Sequence, residues 1–350
     1  MASIRLDQLT KDFGGLLAVD HVDVEIEDGT FLALLGPSGC GKTTTMNMIS
    51  GLETPTSGEI YFGDRPMSRI PPGKRSVGFV FQNYAIFTHM TVAQNLSFGL
   101  RVRKPRPSRA EIEAEVKRVA EIVGLGAMLQ RKASRLSVND MQKVALGRSM
   151  IVRPSIFLLD EPFSNLDAAF RAYMRAELKH IQHEIGQTMV YVTHDQVEAM
   201  GMADQIAVMN LGVLQQFAPP LEIYNRPSNK FVAGFVGSTR INFLPAEKVG
   251  VPTPEGTEGG SVTLAIRPEY IGFAQPGATE ATLTAKVDLV EPLGANDVIH
   301  LSWERYDIRA IGRPGARPRI GENIGLVFPP ERLLFFDDRT EDAVNGSHQA

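Results

Sequence analysis

Apolar and polar positions along the 350-residue chain change their period three times. Residues 3–9 and 19–26 alternate, with Val22, Val24 and Ile26 on one face, which predicts half-buried antiparallel strands. Residues 31–35, 77–81, 156–159 and 189–193 are short unbroken apolar runs, as expected of strands buried on both faces of a parallel sheet. Residues 58–63 read as a further short strand. From about 88 to 150 the period becomes helical. Ser108 with Glu111 makes a capping box, Ile112, Val116, Val119 and Val123 follow at helical spacing, and Gly124 supplies the stop. The basic, proline-rich residues 101–109 are expected to be a solvated loop. Asp167 can cap a helix whose apolar face is Phe170, Met174, Leu178, Ile181 and Ile185, closed by Gly186. Asp195 with Glu198 predicts a capped start for another helix. Residues 206–209 and 213–215 predict a hairpin across Asn210-Leu211-Gly212.

Beyond Gly237 strand-like runs recur at 262–266, 281–290, 297–303, 306–311, 323–328 and 332–336, many separated by Gly and Pro. The expected organisation is therefore an α/β domain over 1–236, with a helical insertion at about 88–150. A small all-β, barrel-like domain follows over 237–337, and then a disordered polar tail over 338–350.

With 43% apolar residues the chain can build two cores, and its net charge of −4 gives no general attraction to nucleic acid. The single cysteine, Cys40, excludes a disulfide framework and suits a reducing cytosol. No stretch has the length of a signal-peptide core or a membrane span, so a soluble protein is expected, with any membrane role supplied by a partner.

The chemistry centres on Gly36-Pro37-Ser38-Gly39-Cys40-Gly41-Lys42-Thr43, which fits G-x-x-x-x-G-K-[ST] between an expected strand and an expected helix. Gly36, Gly39 and Gly41 let successive backbone N–H groups turn toward a phosphate chain, and the helix adds its positive dipole end. Lys42 can reach the outer phosphates, and the Thr43 hydroxyl can ligate magnesium. This pattern predicts binding of a nucleoside triphosphate. Asp160 ends an apolar strand, where it is expected to be a second-sphere or direct magnesium carboxylate, and Glu161 beside it can polarise a water for attack on the terminal phosphate. Gln82 and His194 end strands that can lead to the same crevice. Phe13 reads either as a hydrophobic plug or as a platform for a base. Cys40 reads as a small residue tolerated between glycines, although the adjacent helix start would favour its thiolate.

These residues, in this order, resemble a known family: the ATP-hydrolysing subunits of ATP-binding-cassette importers, of the carbohydrate-uptake (maltose, glycerol-phosphate, glycerol) type with a C-terminal regulatory domain. The matching pieces are GPSGCGKTTT (36–45), VFQNYAIFTHMTVAQNLSFGL (80–100), IFLLDEPFSNLDAAFR (156–171), YVTHDQVEAM (191–200), FVAGFVGSTRINFL (231–244) and LAIRPEYIGF (264–273). The resemblance implies a phosphate-loop cassette ATPase core with a helical subdomain, and an OB-like β domain for dimer contacts and regulation. It implies that Phe13 stacks on adenine, that 36–43 with Thr44 hold the phosphates, and that Gln82 and Asp160 serve magnesium. Glu161 would be the catalytic base and His194 would contact the terminal phosphate. Residues 164–167 would communicate across a dimer, and the segment around Tyr84 and Phe87 would seat a helix of a permease. The implied partners are a second ATPase subunit or a second copy, two membrane permeases and, indirectly, a periplasmic solute-binding protein, placing the chain on the cytoplasmic face of the membrane.

One motif departs from the family. Where it has Leu-Ser-Gly-Gly-Gln, this chain has Leu136-Ser137-Val138-Asn139-Asp140. Ser137 would still contact ATP held by the opposite subunit, but Val138 adds bulk and Asp140 adds negative charge beside a phosphate. The residues serving the chain's own ATP are intact. That asymmetry suggests a heterodimer with an ATPase of intact signature, and glycerol as the first substrate guess. A non-catalytic regulatory subunit and a polyamine or iron importer ATPase are the alternatives.

Overall fold

A computed structural model describes residues 2–164, 166–254, 261–315 and 317–344. The chain divides into two units, 1–220 and 221–350. The division falls before the composition change at Gly237, because the short helices Pro220–Asn225 and Lys230–Phe235 group with the β-rich part.

The first unit holds two sheets. Strands β1 (Ile4–Asp12), β2 (Leu17–Ile26), β4 (Ser57–Phe62) and β5 (Arg65–Pro66) form an antiparallel sheet in the order β2-β1-β4-β5. The central sheet has the order β10-β9-β3-β8-β7-β6, from β3 (Phe31–Leu35), β6 (Val77–Val80), β7 (Ile156–Asp160), β8 (Thr188–Thr193), β9 (Gln205–Asn210) and β10 (Val213–Ala218). All its pairings are parallel except the β9–β10 hairpin, whose two-residue turn places Leu211 and Gly212 at positive φ, as such tight turns require. The strands β3 and β8 are buried along their whole length, which explains their unbroken apolar sequences. The run 77–81 is different. It stops at Val80, alternates between buried and half-buried positions, and leaves Phe81 exposed, because β6 is an edge strand. Helix α1 (Lys42–Ser50) follows β3 and ends at Gly51 in the left-handed conformation.

The helical insertion consists of α2 (Val92–Val102), α3 (Arg109–Ile122) and α4 (Val138–Met150). Ser108 and Glu111 form the expected capping box of α3, and Ile112, Val116, Val119 and Val123 are buried. Thr91 with Gln94 caps α2 in the same way, a box the apolar pattern does not reveal. Glu115 on α3 binds Arg118 (2.5 Å) and Arg153 (3.0 Å), the latter beyond the C-terminus of α4. Helices α5 (Ala168–Ile185) and α6 (Gln196–Met202) complete the unit. Met174, Leu178 and Ile181 are buried as expected, while the side chains of Phe170 and Ile185 lie outside those described.

The second unit is all-β apart from short helices, with antiparallel sheets of three and five strands. The strands Val262–Ile266 and Asp297–Trp303 have the bounds their alternation predicts, whereas Asn242–Pro245 and Gly272–Ala274 are too short to carry a pattern. Arg267, almost fully buried, donates to the carbonyls of Tyr224 (2.6 Å) and Val236 (2.7 Å) and stacks on the Tyr224 ring, tying both short helices to the sheets of this unit. Burial lowers its pKa to about 10. The tail starts later than its polarity suggests. Asp338 binds Lys230 (2.6 Å) and accepts from the Ser261 and Thr263 hydroxyls, and Asp342 and Ala343 make β-bridges. Residues 345–350 lie outside those described.

Glu115 gives the helical insertion a pH dependence. Hydrogen bonds from Arg118, then Arg153, outweigh its burial and lower its pKa from 4.5 to about 2. Its contribution is therefore fully present above about pH 4.5 and is lost as pH falls toward 2. Glu115→Gln is expected to lower stability by about 1 kcal/mol at neutral pH, with the gap to the parent closing as pH falls from 4.5 toward 2. Thermal unfolding of both proteins across that range checks this, and a constant gap would contradict it.

Candidate active site

Register brings the site together. Leu35 lies beside Thr193, Val192 beside Asp160, and Leu159 beside Val80, so β3, β8, β7 and β6 end level. Residues 36–43, 194, 160–161 and 82 therefore leave the sheet along one margin, where parallel sheets present their ligands.

The phosphate loop is closed in on by backbone. A side chain at Gly36 would collide with the Met209 carbonyl, and one at Gly41 with the Ala18 carbonyl. Gly39 and Gly41 also have φ of 80° and 101°, and Gly41 is the N-cap of α1. The turn at Gly212 supports the loop by donating its N–H to the Cys40 carbonyl at 3.1 Å. Pro37 is half-buried, and Ser38 and Gly39 are exposed. Lys42, 5% exposed, folds inward and donates to the carbonyls of Gly36 and Pro37, both at 2.8 Å. Phosphate oxygens would replace these carbonyls as partners of its ammonium group. Cys40 is buried and packs in the core beneath the loop, 3.7 Å from the Lys42 nitrogen.

Thr43 and Asp160 face one another, the Thr43 hydroxyl 3.4 Å from a carboxylate oxygen. Burial first, and then the charge of Glu161, push the Asp160 pKa up, against the pull of Thr43 and Lys42. Such a desolvated carboxylate is suited to a cation. Among the described residues no group of three or more His, Cys, Asp or Glu could hold a metal. The donor set of one hydroxyl and one carboxylate matches magnesium, which keeps waters and takes phosphate oxygens rather than an all-protein cage. The Gln82 amide donates to the Ser164 hydroxyl at 3.4 Å.

Glu161 adopts φ +42°, a strained conformation for a non-glycine residue. Its N–H donates to the Val192 carbonyl (3.1 Å), its carbonyl accepts from the Ser164 hydroxyl (3.1 Å), and its carboxylate lies 3.2 Å from His194 Nδ1. The pair is half in solvent, with His194 the more exposed. Two residues missed in the sequence hold this loop. Glu198 was expected to close a cap with Asp195. Asp195 does cap α6, but Glu198 is buried and accepts instead from the Tyr191 (2.7 Å) and Thr193 (2.6 Å) hydroxyls. Arg171 binds Asp195 (3.1 Å) and the Leu166 carbonyl (3.1 Å), joining the His194 loop to the segment before α5. Asn165 in that segment lies outside the described residues.

Three expected site residues remain. Phe13 is 50% exposed at the β1–β2 turn, with Lys11 4.8 Å above its ring, so a face is free to stack on a base and the plug reading does not hold. Thr44 is half-buried on α1. Ser137 is exposed at the entry to α4. It is the N-cap of α4, and Asp140 closes a capping box on it: the Ser137 hydroxyl lies 2.7 Å from the Asp140 carboxylate and accepts the Asp140 N–H at 3.2 Å. The segment expected to meet a permease has Tyr84 and Ala85 at positive φ, and is pinned by Asn95, which bonds both backbone groups of Phe87 at 2.9 Å.

Comparison with known proteins agrees with this geometry. Residues 19–164 match the family model described as ABC transporter, and residues 264–336 match the TOBE domain. The trehalose/maltose import ATP-binding protein of Thermococcus litoralis is 44% identical, covering 98% of this chain and 100% of that one. The sn-glycerol-3-phosphate import ATP-binding protein of Cereibacter sphaeroides is 46% identical over 97% and 99%. Among solved structures, cbiO1 of Clostridium perfringens, part of an ABC transporter complex, aligns with TM-score 0.59 at 27% identity, over 63% of this chain and 89% of that one.

Replacing Glu161 by Gln removes the expected base while leaving Lys42, Thr43 and Asp160 in place. ATP binding is expected to stay within a few-fold of the parent, while turnover falls about 100-fold or more. Parallel binding and phosphate-release assays check this, and turnover retained in the variant would remove Glu161 from the chemistry.

Proposed function

Because the chain belongs to the ABC transporter family, as an ATPase subunit carrying a TOBE domain, we propose that it powers uptake of a small carbohydrate or polyol as one half of an ATPase heterodimer. The loop N–H groups and Lys42 bind the phosphates, and Phe13 stacks on the base. Magnesium, held by Thr43 and Asp160, would neutralise phosphate charge. Glu161 takes a proton from the attacking water, and His194 holds the Glu161 carboxylate and meets the terminal phosphate. Positioning and electrostatics supply most of the acceleration. Gln82, bonded to Ser164, links the nucleotide margin to the segment 83–90 that would seat a permease helix.

One observation carries the heterodimer: Asp140 satisfies Ser137 and the N-terminus of α4 within the same chain. In this family that helix end is the surface offered to ATP bound by the opposite subunit. Here a carboxylate already occupies its donors and offsets its positive dipole, so a homodimer has two impaired composite sites. A partner with an intact glycine signature restores one of them, over this chain's phosphate loop and Glu161. The relatives named above import trehalose/maltose and sn-glycerol-3-phosphate, which supports a carbohydrate or polyol as cargo, with glycerol the first candidate. The altered signature equally suits a non-catalytic regulatory subunit, and transport by the Glu161→Gln complex separates the two: loss supports the motor, unchanged uptake the passive partner.

The purified chain alone is expected to hydrolyse ATP slowly, and at least tenfold faster when mixed with its paired ATPase. Val138→Gly, Asn139→Gly and Asp140→Gln combined should raise the rate of the isolated chain about tenfold. Vigorous turnover by the unaltered homodimer would defeat the heterodimer.

A further inference from the structure

The His194 side chain is 56% exposed, so packing around the imidazole does little to fix it. Its backbone is fixed instead, and from both sides. The Thr193 hydroxyl accepts the Asp195 N–H at 2.9 Å, reaching past His194 from the residue before it to the residue after. The same hydroxyl donates to Glu198 Oε2 at 2.6 Å, and the Tyr191 hydroxyl donates to that oxygen at 2.7 Å. Burial, and then the charge of Glu198, push the Tyr191 phenol well above its usual pKa, so it stays a donor. Glu198 is 4% exposed and Tyr191 is fully buried. The Tyr191 ring also lies 5.8 Å from that of Phe163, two residues beyond Glu161. One buried carboxylate thus stands behind both His194 and the loop that carries Glu161.

The other Glu198 oxygen faces Arg171. Its Oε1 lies 3.9 Å from Arg171 Nε, too far for a hydrogen bond, and that Nε is buried with no hydrogen-bond partner among the described residues. The two terminal nitrogens of the guanidinium are engaged: Nη1 donates to the Asp195 carboxylate and Nη2 to the Leu166 carbonyl, both at 3.1 Å. A planar fork can address three points in this way, whereas a lysine ammonium is a single point charge. A buried donor without a partner is costly, and an approach of about 1 Å would give this one the Glu198 oxygen. Leu166 belongs to the segment expected to face an opposite subunit, so one side chain is shared between that segment and the loop of His194.

We propose, on the reading that His194 meets the terminal phosphate, that Glu198 and Arg171 are positioning residues for ATP hydrolysis: Glu198, through Thr193, sets His194 against Glu161, and Arg171 ties that setting to residues 164–167. A misplacement of about 1 Å at a reacting group can cost on the order of a hundredfold in rate. To test the assignment, single-turnover phosphate release is followed on the full-length chain, alone and mixed with its paired ATPase, over a range of ATP concentrations. Thr193→Val, Glu198→Gln and Arg171→Lys are each expected to lower the maximal rate at least about tenfold, with ATP affinity within about threefold of the parent. Thr193→Ser, which keeps the hydroxyl, is expected to hold the parent rate within about threefold. In a His194→Ala background the same three substitutions should add less than about a twofold loss, because the group they place is gone. Undiminished losses in that background overturn the proposal, as do parent rates in Thr193→Val and Glu198→Gln, or losses of ATP affinity as large as those in rate. Full turnover by His194→Ala alone instead defeats the reading of His194 on which the proposal stands.

Discussion

The level ending of four parallel strands is the constraint on which this protein's chemistry depends. A side chain can be aimed at a phosphate only if the backbone beneath it has nowhere else to go, and the pairings of Leu35 with Thr193 and Asp160 with Val192 supply that rigidity. A slip of one residue in β7 would reverse the faces of Asp160 and Glu161. The strands afford it because they are buried and apolar, so any slip would also move core residues such as Leu158 and Val190. Strain at Glu161 is then tolerated locally, since the sheet over-determines its position.

Beyond the sheet, polar contacts take over from apolar packing. Glu198 and Arg171 hold the loop of His194, Ser164 joins Glu161 to Gln82, and Asn95 pins the segment after Gln82. These bonds connect the nucleotide margin to the helical insertion through side chains at distances of 2.6–3.4 Å. At the far end of the insertion, α4 is closed by its own Asp140. The chain thus combines the groups expected to serve its own nucleotide with a helix end capped within the same chain.

Where local chemistry decides structure, the sequence reads clearly. The phosphate loop, the Ser108–Glu111 box and the β9–β10 turn each depend on residues within a few positions of one another. Where position in the fold decides, it does not. The apolar run at Val77 is the same whether β6 is central or at an edge, and only the sheet order makes Phe81 exposed. Glu198 has the spacing of a capping partner, yet the hydroxyls of Tyr191 and Thr193, brought from β8, offer a buried carboxylate better bonds. The Ser137-x-x-Asp140 spacing is itself a legible cap. Polarity at 338–344 suggested disorder, whereas Lys230 and the hydroxyls of Ser261 and Thr263 give that polarity partners.

The carbonyls of Ala18 and Met209 that crowd Gly41 and Gly36 also bear on the order in which the molecule matures. The phosphate loop is made early in synthesis, but one wall of its mould belongs to a hairpin translated much later. A nascent chain that has not yet reached β9 holds the right glycines and no finished cradle. The cradle is therefore complete only once β9 and its turn have been made and packed against the loop.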